Sequence, residues 1–194
     1  MSQAHWAAEV ARTLLKDPLP RRWAHVQGVA AQARSLAPIL GHDADLLEAA
    51  AWLHDVGYAP EVASTGFHPL DGARYLRDVE YADPTLCRLV ANHSCAIIEA
   101  EERGLAETLS SEFPPPPPAL SDALAYCDMT TTPTGEVVAV RDRLSEIAGR
   151  YGPHDVVTRF IRRAEPELVS SVARTGQRLF TTQLPMHDPF CYGF

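Results

Sequence analysis

The sequence predicts an all-α protein of one domain, and three observations carry that prediction. Apolar residues recur at helical spacing along almost the whole chain. No run of five or more residues shows the period of two that marks a half-buried strand. The 194 residues contain neither an internal repeat nor a second composition regime, and that length suffices for one sizeable core. A helical domain is expected over residues 1–182, with a tail over 183–194 that carries aromatic residues but no period.

A first helix is expected from Gln3 to Lys16, ending before Asp17-Pro18, where proline disfavours continuation. A second begins near Pro20 and carries Trp23, Val26, Val29, Ala30 and Ala33 towards Pro38. A third follows Gly41-His42 with Asp43 as N-cap and runs through Leu46, Leu47, Ala50, Ala51 and Leu53 to His54-Asp55, where Gly57 permits a turn. His68-Pro69 opens a shorter helix through Ala73, Tyr75 and Leu76, and Asp83-Pro84 opens the next, with Leu86, Leu89 and Val90 preceding His93. Pro114 to Pro118 are expected to form an exposed polyproline stretch that bounds a helix from Ala119 to Met129. After Pro133-Thr134-Gly135, helices are expected over 136–150 and 155–180, with Pro166 kinking or splitting the second.

Composition narrows the function classes. With 17 Lys and Arg against 25 Asp and Glu, the formal net charge of −8 should repel long nucleic acid, whereas a small anion held on a metal stays compatible. No apolar run approaches the ~20 residues of a membrane span. The opening MSQAHWAAEVARTLLK places polar residues where a secretory signal would be continuously apolar, so a cytoplasmic location is expected. Cys87, Cys95, Cys127 and Cys191 lack CxxC spacing and are read as reduced. An acidic surface and a proline loop are compatible with a homo-oligomer.

The chemistry lies in six residues, in the order His25, His54-Asp55, His68, His93 and Asp128. Leu47, Ala50, Ala51 and His54 are spaced i, i+3, i+4, i+7, which puts His54 on an apolar helix face. Leu86, Leu89, Val90 and His93 repeat that spacing, His25 lies four before Val29, and Asp128 lies four after Leu124. Taken singly, each histidine reads equally well as a core residue bonded to a backbone carbonyl. Asp128 resists that reading, because a carboxylate buried ionised and unpaired costs several kcal/mol and so calls for a cation or strong hydrogen bonds. A metal ion meets the need of all six together. Adjacent helical residues diverge by about 100°, so His54 and Asp55 reach one ion only at a helix end or cleft.

The pattern resembles the HD-domain metal-dependent phosphohydrolases. The pieces that carry the resemblance are RRWAHVQGVA around His25, WLHDVGY around His54-Asp55 and AYCDMTT around Asp128, spanning roughly Pro20 to Thr132. It implies an HD-domain-like helical bundle in which His25, His54, Asp55 and Asp128 hold one metal. Two-metal members add two histidines, which match His68 in FHPLDGARYL and His93 in LVANHS, with Asp55 as the bridging carboxylate. Related two-metal hydrolases usually carry a lysine three residues after the doublet's aspartate; here that position is Tyr58, which brings no positive charge. The short interval from the doublet to His68 also leaves little loop for a cyclic dinucleotide.

The expected cofactor is one or two divalent transition-metal ions, Fe, Mn, Co, Ni or Zn. The expected activity is hydrolysis of a small phosphate ester or nucleotide-type substrate by a metal-activated water, with Asp55 or Asp128 orienting that water. Arg22, Tyr58 and Thr131 are the candidate substrate contacts. Two rival readings keep the ligand set: a mixed-valent di-iron oxygenase, and a non-catalytic metal-containing binding module. His5, His42, His154 and His187 fall outside the pattern.

Overall fold

The apolar stripes fold as helices in nearly the expected order. The computed structural model describes residues 2–183. Its helices are α1 (Gln3–Leu15), α2 (Pro20–Ser35), the short α3 (Ala37–Leu40), α4 (Ala44–Leu53), α5 (His68–Asp78) and α6 (Pro84–Asn92). There follow α7 (Ala96–Arg103), α8 (Ala106–Glu112), α9 (Pro118–Met129), α10 (Val140–Arg150) and α11 (Val156–Gln183). Among the described residues there is no strand, only an isolated bridge between Thr131 and Val137. No described helix is long and apolar enough to cross a membrane.

Local chemistry explains where helices stop and start, including where the sequence reading differs. Asp83 accepts hydrogen bonds from the backbone N–H of Thr85 and Leu86 and caps α6, with Pro84 at the first helical position. Asp43 occupies the position before α4 but its side chain makes no cap, because a 3-10 turn over Gly41–Asp43 leads directly into the helix. The second expected helix stops at Ser35, and Pro38 belongs to α3 instead. Pro118 is not part of an extended stretch but opens α9, and Pro116 is buried. The expected start of α10 at Glu136 is corrected to Val140, because residues 130–138 form a turn in which Thr132 N–H donates to Glu136 O and Val138 N–H to Thr130 O. Pro166 lies inside α11 without ending it. The sequence reading assigned no helix to α7 and α8, two short segments separated by Gly104 at φ +71°. The tail beyond Gln183, with His187 and Cys191, lies outside the described residues. Cys87, Cys95 and Cys127 are free.

Two apolar clusters define the interior. The larger takes Ala7, Ala11, Leu14 and Leu15 of α1, Val26 and Val29 of α2, Leu47 and Leu53 of α4, Leu70 of α5 and Leu86 and Leu89 of α6. The smaller gathers Leu144 and Ile147 of α10 with Phe160, Ile161, Ala164 and Leu168 of α11. Helix α9 is the wall between them: Leu120, Ala123, Leu124 and Cys127 face the larger cluster, and Ala125 and Met129 the smaller. Asp128 therefore lies at the seam.

On the outer surface Glu112 of α8 ties down α5. Arg74 Nε donates to its Oε2 at 3.1 Å and Arg77 Nη1 at 2.9 Å. The Arg74 hydrogen bond, reinforced by Arg77, lowers the Glu112 pKa to about 2. A carboxyl lowered on folding contributes stability that is present above its unfolded pKa and lost as pH falls through its folded one. Glu112→Gln is therefore expected to lower stability at neutral pH and to flatten its fall between pH 4.5 and 2. Urea melts across that range check this; parallel curves for parent and variant would contradict it.

Candidate metal centre

Two of the histidines are placed by helix ends. The last carbonyls of an α-helix lack intrahelical donors. At the end of α4, His54 Nδ1 donates to Ala51 O at 2.8 Å, and at the end of α6, His93 Nδ1 donates to Val90 O at 2.6 Å. Each histidine thus satisfies the carbonyl three residues before it. His93 has itself left the helix and is extended, with ψ 149°, and the next two residues, Ser94 and Cys95, have positive φ. His25 of α2 donates from Nδ1 to Thr132 O at 3.0 Å, a carbonyl presented by the turn after α9. That turn comes close because Gly28 leaves room: a Cβ there would stand 2.4 Å from Gly135 O.

A carbonyl can only accept, so each of these three rings carries its proton on Nδ1. When the ring is neutral, Nε2 holds a lone pair. The carbonyl-bonded core histidine and the metal ligand are therefore compatible descriptions of the same side chain.

The Nε2 atoms converge on the two aspartates. His25 Nε2 stands 3.0 Å from Asp128 Oδ1, and His54 Nε2 stands 3.9 Å from the same oxygen. His68 Nε2 is 3.2 Å from His93 Nε2 and 3.4 Å from Asp55 Oδ1. The donors fall into two groups, His25, His54 and Asp128 in one and Asp55, His68 and His93 in the other. Asp55 touches both, since its second oxygen, Oδ2, lies 3.6 Å from His54 Nε2 and 4.0 Å from His25 Nε2.

These residues fit a metal. Donor atoms about 2.1 Å from a common ion stand roughly 3.0–3.4 Å apart, and His25–Asp128, His68–His93 and His68–Asp55 stand at that spacing while His54–Asp128 is wider at 3.9 Å. His54 Nε2 is buried with no hydrogen-bond partner, a costly state that a cation relieves. His25, His54, Asp55, His93 and Asp128 are each at most 5% exposed. Burial opposes ionisation of Asp55, yet the Arg22 guanidinium and the neighbouring imidazoles hold its carboxyl well below the usual carboxylate range. Burial likewise opposes ionisation of Asp128, and the adjacent His25 and His54 rings prevail and hold its carboxyl low. Burial lowers the pKa of His54 and, more strongly, of His68. Ionised carboxylates and neutral imidazoles are the forms that ligate.

The centre opens into a cavity of about 90 Å³. Asp55, His68, His93 and Asp128 line it together with Met129, Ile147, Phe160 and Leu168 of the smaller cluster. Arg22 and Tyr58 form part of the wall: Arg22 Nη1 donates to Asp55 Oδ2 at 2.7 Å, and its guanidinium lies 3.8 Å from the Tyr58 ring centroid. Tyr58 in turn stacks on His68, with ring centroids 3.9 Å apart. Thr131 is not brought to this cavity. It is buried, and its hydroxyl donates to Cys127 O at 2.7 Å at the end of α9, the side-chain capping role that competes with any ligand role.

Several residues of the site escaped the sequence reading. Ser94 donates to Asp128 Oδ2 at 2.5 Å and is visible in sequence only as the residue after His93. Glu99, buried and paired with Arg103, and the arginines Arg143 and Arg150 also line the cavity. Arg143 gave one signal, a charged residue four before Ile147 on the apolar face of its helix. His5, His42 and His154 are exposed and apart from the cluster.

An all-α bundle with buried His and Asp groups able to hold a metal is the class that fold and site define. The particular family follows from sequence comparison: the model of the HD domain matches residues 22–147, and the chain belongs to that family. HD domains bind divalent metals, and most are metal-dependent phosphohydrolases. No curated protein and no solved structure matches the chain.

Proposed function

We propose that the protein is a metal-dependent phosphohydrolase that cleaves a small phosphate ester or nucleotide-type substrate with water. The observation that carries this reading is the pair of three-donor groups joined by Asp55. His25, His54 and Asp128 would hold one ion and His68 and His93 a second, with Asp55 available to both groups. Divalent ions held there would acidify bound water and neutralise phosphoryl oxygens.

The chain's own groups supply the rest. Asp128 is kept in one orientation by the Ser94 hydroxyl, which donates to its Oδ2, so its carboxylate is available to orient an attacking water. Arg22 restores the cation that Tyr58 does not provide: its guanidinium lies directly over that phenol and can donate to a phosphoryl oxygen at the rim. Met129, Ile147, Phe160 and Leu168 supply an apolar part of the lining that favours an apolar or aromatic group in the substrate. The confined volume favours small esters.

His54→Ala is expected to abolish phosphate release from such esters in protein reconstituted with Mn or Fe, whereas His5→Ala and His42→Ala are expected to retain it. A phosphate-release panel on the three variants and the parent tests this. Oxygen consumption by the iron form without phosphate release from any ester would overturn the reading.

A further inference from the structure

A second space, about 180 Å³, adjoins the cavity over the aspartates. It is bounded by Arg21, Arg22, His25, Pro133, Arg143 and Arg150, and three of these, Arg22, Arg143 and Arg150, also line the cavity over the aspartates. The two spaces thus share a wall of guanidinium groups.

Four guanidiniums meet there in a chain whose formal net charge is −8. The carboxylates paired with them are too few to balance the charge. Arg143 and Arg150 share one partner, Glu146, and Arg22 pairs with Asp55, which is a candidate metal ligand. Arg21 makes no side-chain hydrogen bond or ion pair among the described residues. Arg143 is 5% exposed, and its Nε is buried without a hydrogen-bond partner. A buried guanidinium with an unused donor is costly, and an anion that accepts from it removes the cost. Helix α10 presents Arg143 and Arg150 seven residues apart on one face, while α2 presents Arg21 and Arg22 opposite them.

We propose that this space is a second anion subsite, and that the substrate carries two anionic groups: a phosphoryl group at the His/Asp centre and a second phosphate or carboxylate among Arg21, Arg143 and Arg150. The proposal rests on the phosphohydrolase reading for the first group alone; the subsite itself is a binding claim that stands without turnover. Arg22, between the two spaces, contacts both groups. The basic pocket also draws small anions towards a protein that otherwise repels them.

The test is calorimetric titration of metal-depleted protein with inorganic phosphate and with pyrophosphate, each at low and high salt. The parent is expected to bind pyrophosphate more tightly than phosphate, with affinity falling as salt rises. Arg21→Gln and Arg150→Gln, both on the accessible side, are each expected to weaken pyrophosphate binding on the order of tenfold. Arg143→Gln is expected to weaken it at least as much, with the fold checked by circular dichroism. Arg12→Gln, on the remote α1, is expected to match the parent. Equal affinities in Arg21→Gln, Arg150→Gln and the parent, or no binding by the metal-depleted parent, would overturn the subsite. Binding that depends on these arginines in a protein that releases phosphate from no ester would sink the phosphohydrolase reading and leave the subsite standing.

Discussion

In the proposed two-metal centre, Asp55→Asn is expected to abolish binding of both ions and to lower the proposed hydrolysis on the order of a thousandfold or more. The substitution keeps the shape of the side chain and removes its charge. Asp55 is the one residue whose two oxygens face different donor groups, Oδ1 towards His68 and Oδ2 towards His54 and His25. An amide leaves one oxygen and turns two N–H donors towards the remaining donors. The neighbouring imidazoles tolerate such donors, but a cation does not. Arg22 also loses its carboxylate, and a guanidinium left unpaired at a part-buried site destabilises the wall it forms. His68→Ala and His93→Ala are expected to behave differently, since each removes a donor from one group only. Metal analysis of the three variants separates the cases: loss of both ions in Asp55→Asn, and loss chiefly of one in each histidine variant. Full metal content in Asp55→Asn would remove it from the site.

Gly57→Ala is expected to damage the fold and the centre together. A Cβ at Gly57 would lie 1.9 Å from His68 O and 2.7 Å from Gly72 N, both backbone atoms that cannot rotate aside. The 3-10 turn Val56–Tyr58 would have to separate from the start of α5, carrying Asp55 away from His68. Overpacking of this kind costs about 3 kcal/mol, which lowers Tm by roughly 6–12 °C for a chain of this size. Gly149→Ala is the control: nothing stands within 4 Å of its Cβ position in α10, and alanine there is expected to be neutral or stabilising by about 0.5–1 kcal/mol. Thermal melts with and without metal check both. An unshifted Tm in Gly57→Ala would contradict the close approach of the two segments.

The sequence singles out His25, His54, Asp55, His68, His93 and Asp128, and the fold brings them into two adjacent groups; periodicity places His25, His54, His93 and Asp128 on apolar helix faces, whereas His68 rests on the family pattern. His54 was read both on an apolar helix face and at a helix end marked by Gly57, and it stands at that end; His93 was read only as continuing an apolar face, whereas it too stands at a helix end, and each bonds the carbonyl three residues back. Periodicity reports the face and does not report the terminus. Gly57 was read as a turn former, but its role is close backbone approach, a tertiary property with no local signature. The start of α10 was misplaced because Thr130 to Val138 form a turn whose hydrogen bonds run across residues, not along a helix. Thr131 follows Asp128 in sequence and yet points its hydroxyl back at Cys127, as residues at a helix C-terminus often do. Arg22 was read from the sequence, but Arg143 and Arg150 were missed, because α2 and α10 contribute to one cavity only in three dimensions and lie over a hundred residues apart in the chain.

The most direct test of the central claim is elemental analysis of the parent and of His93→Ala, purified without chelator and reconstituted with Mn or Fe. Close to two transition-metal ions per chain are expected in the parent and close to one in the variant. One ion or none in the parent, or the same content in both proteins, would contradict a centre built from two donor groups joined by Asp55.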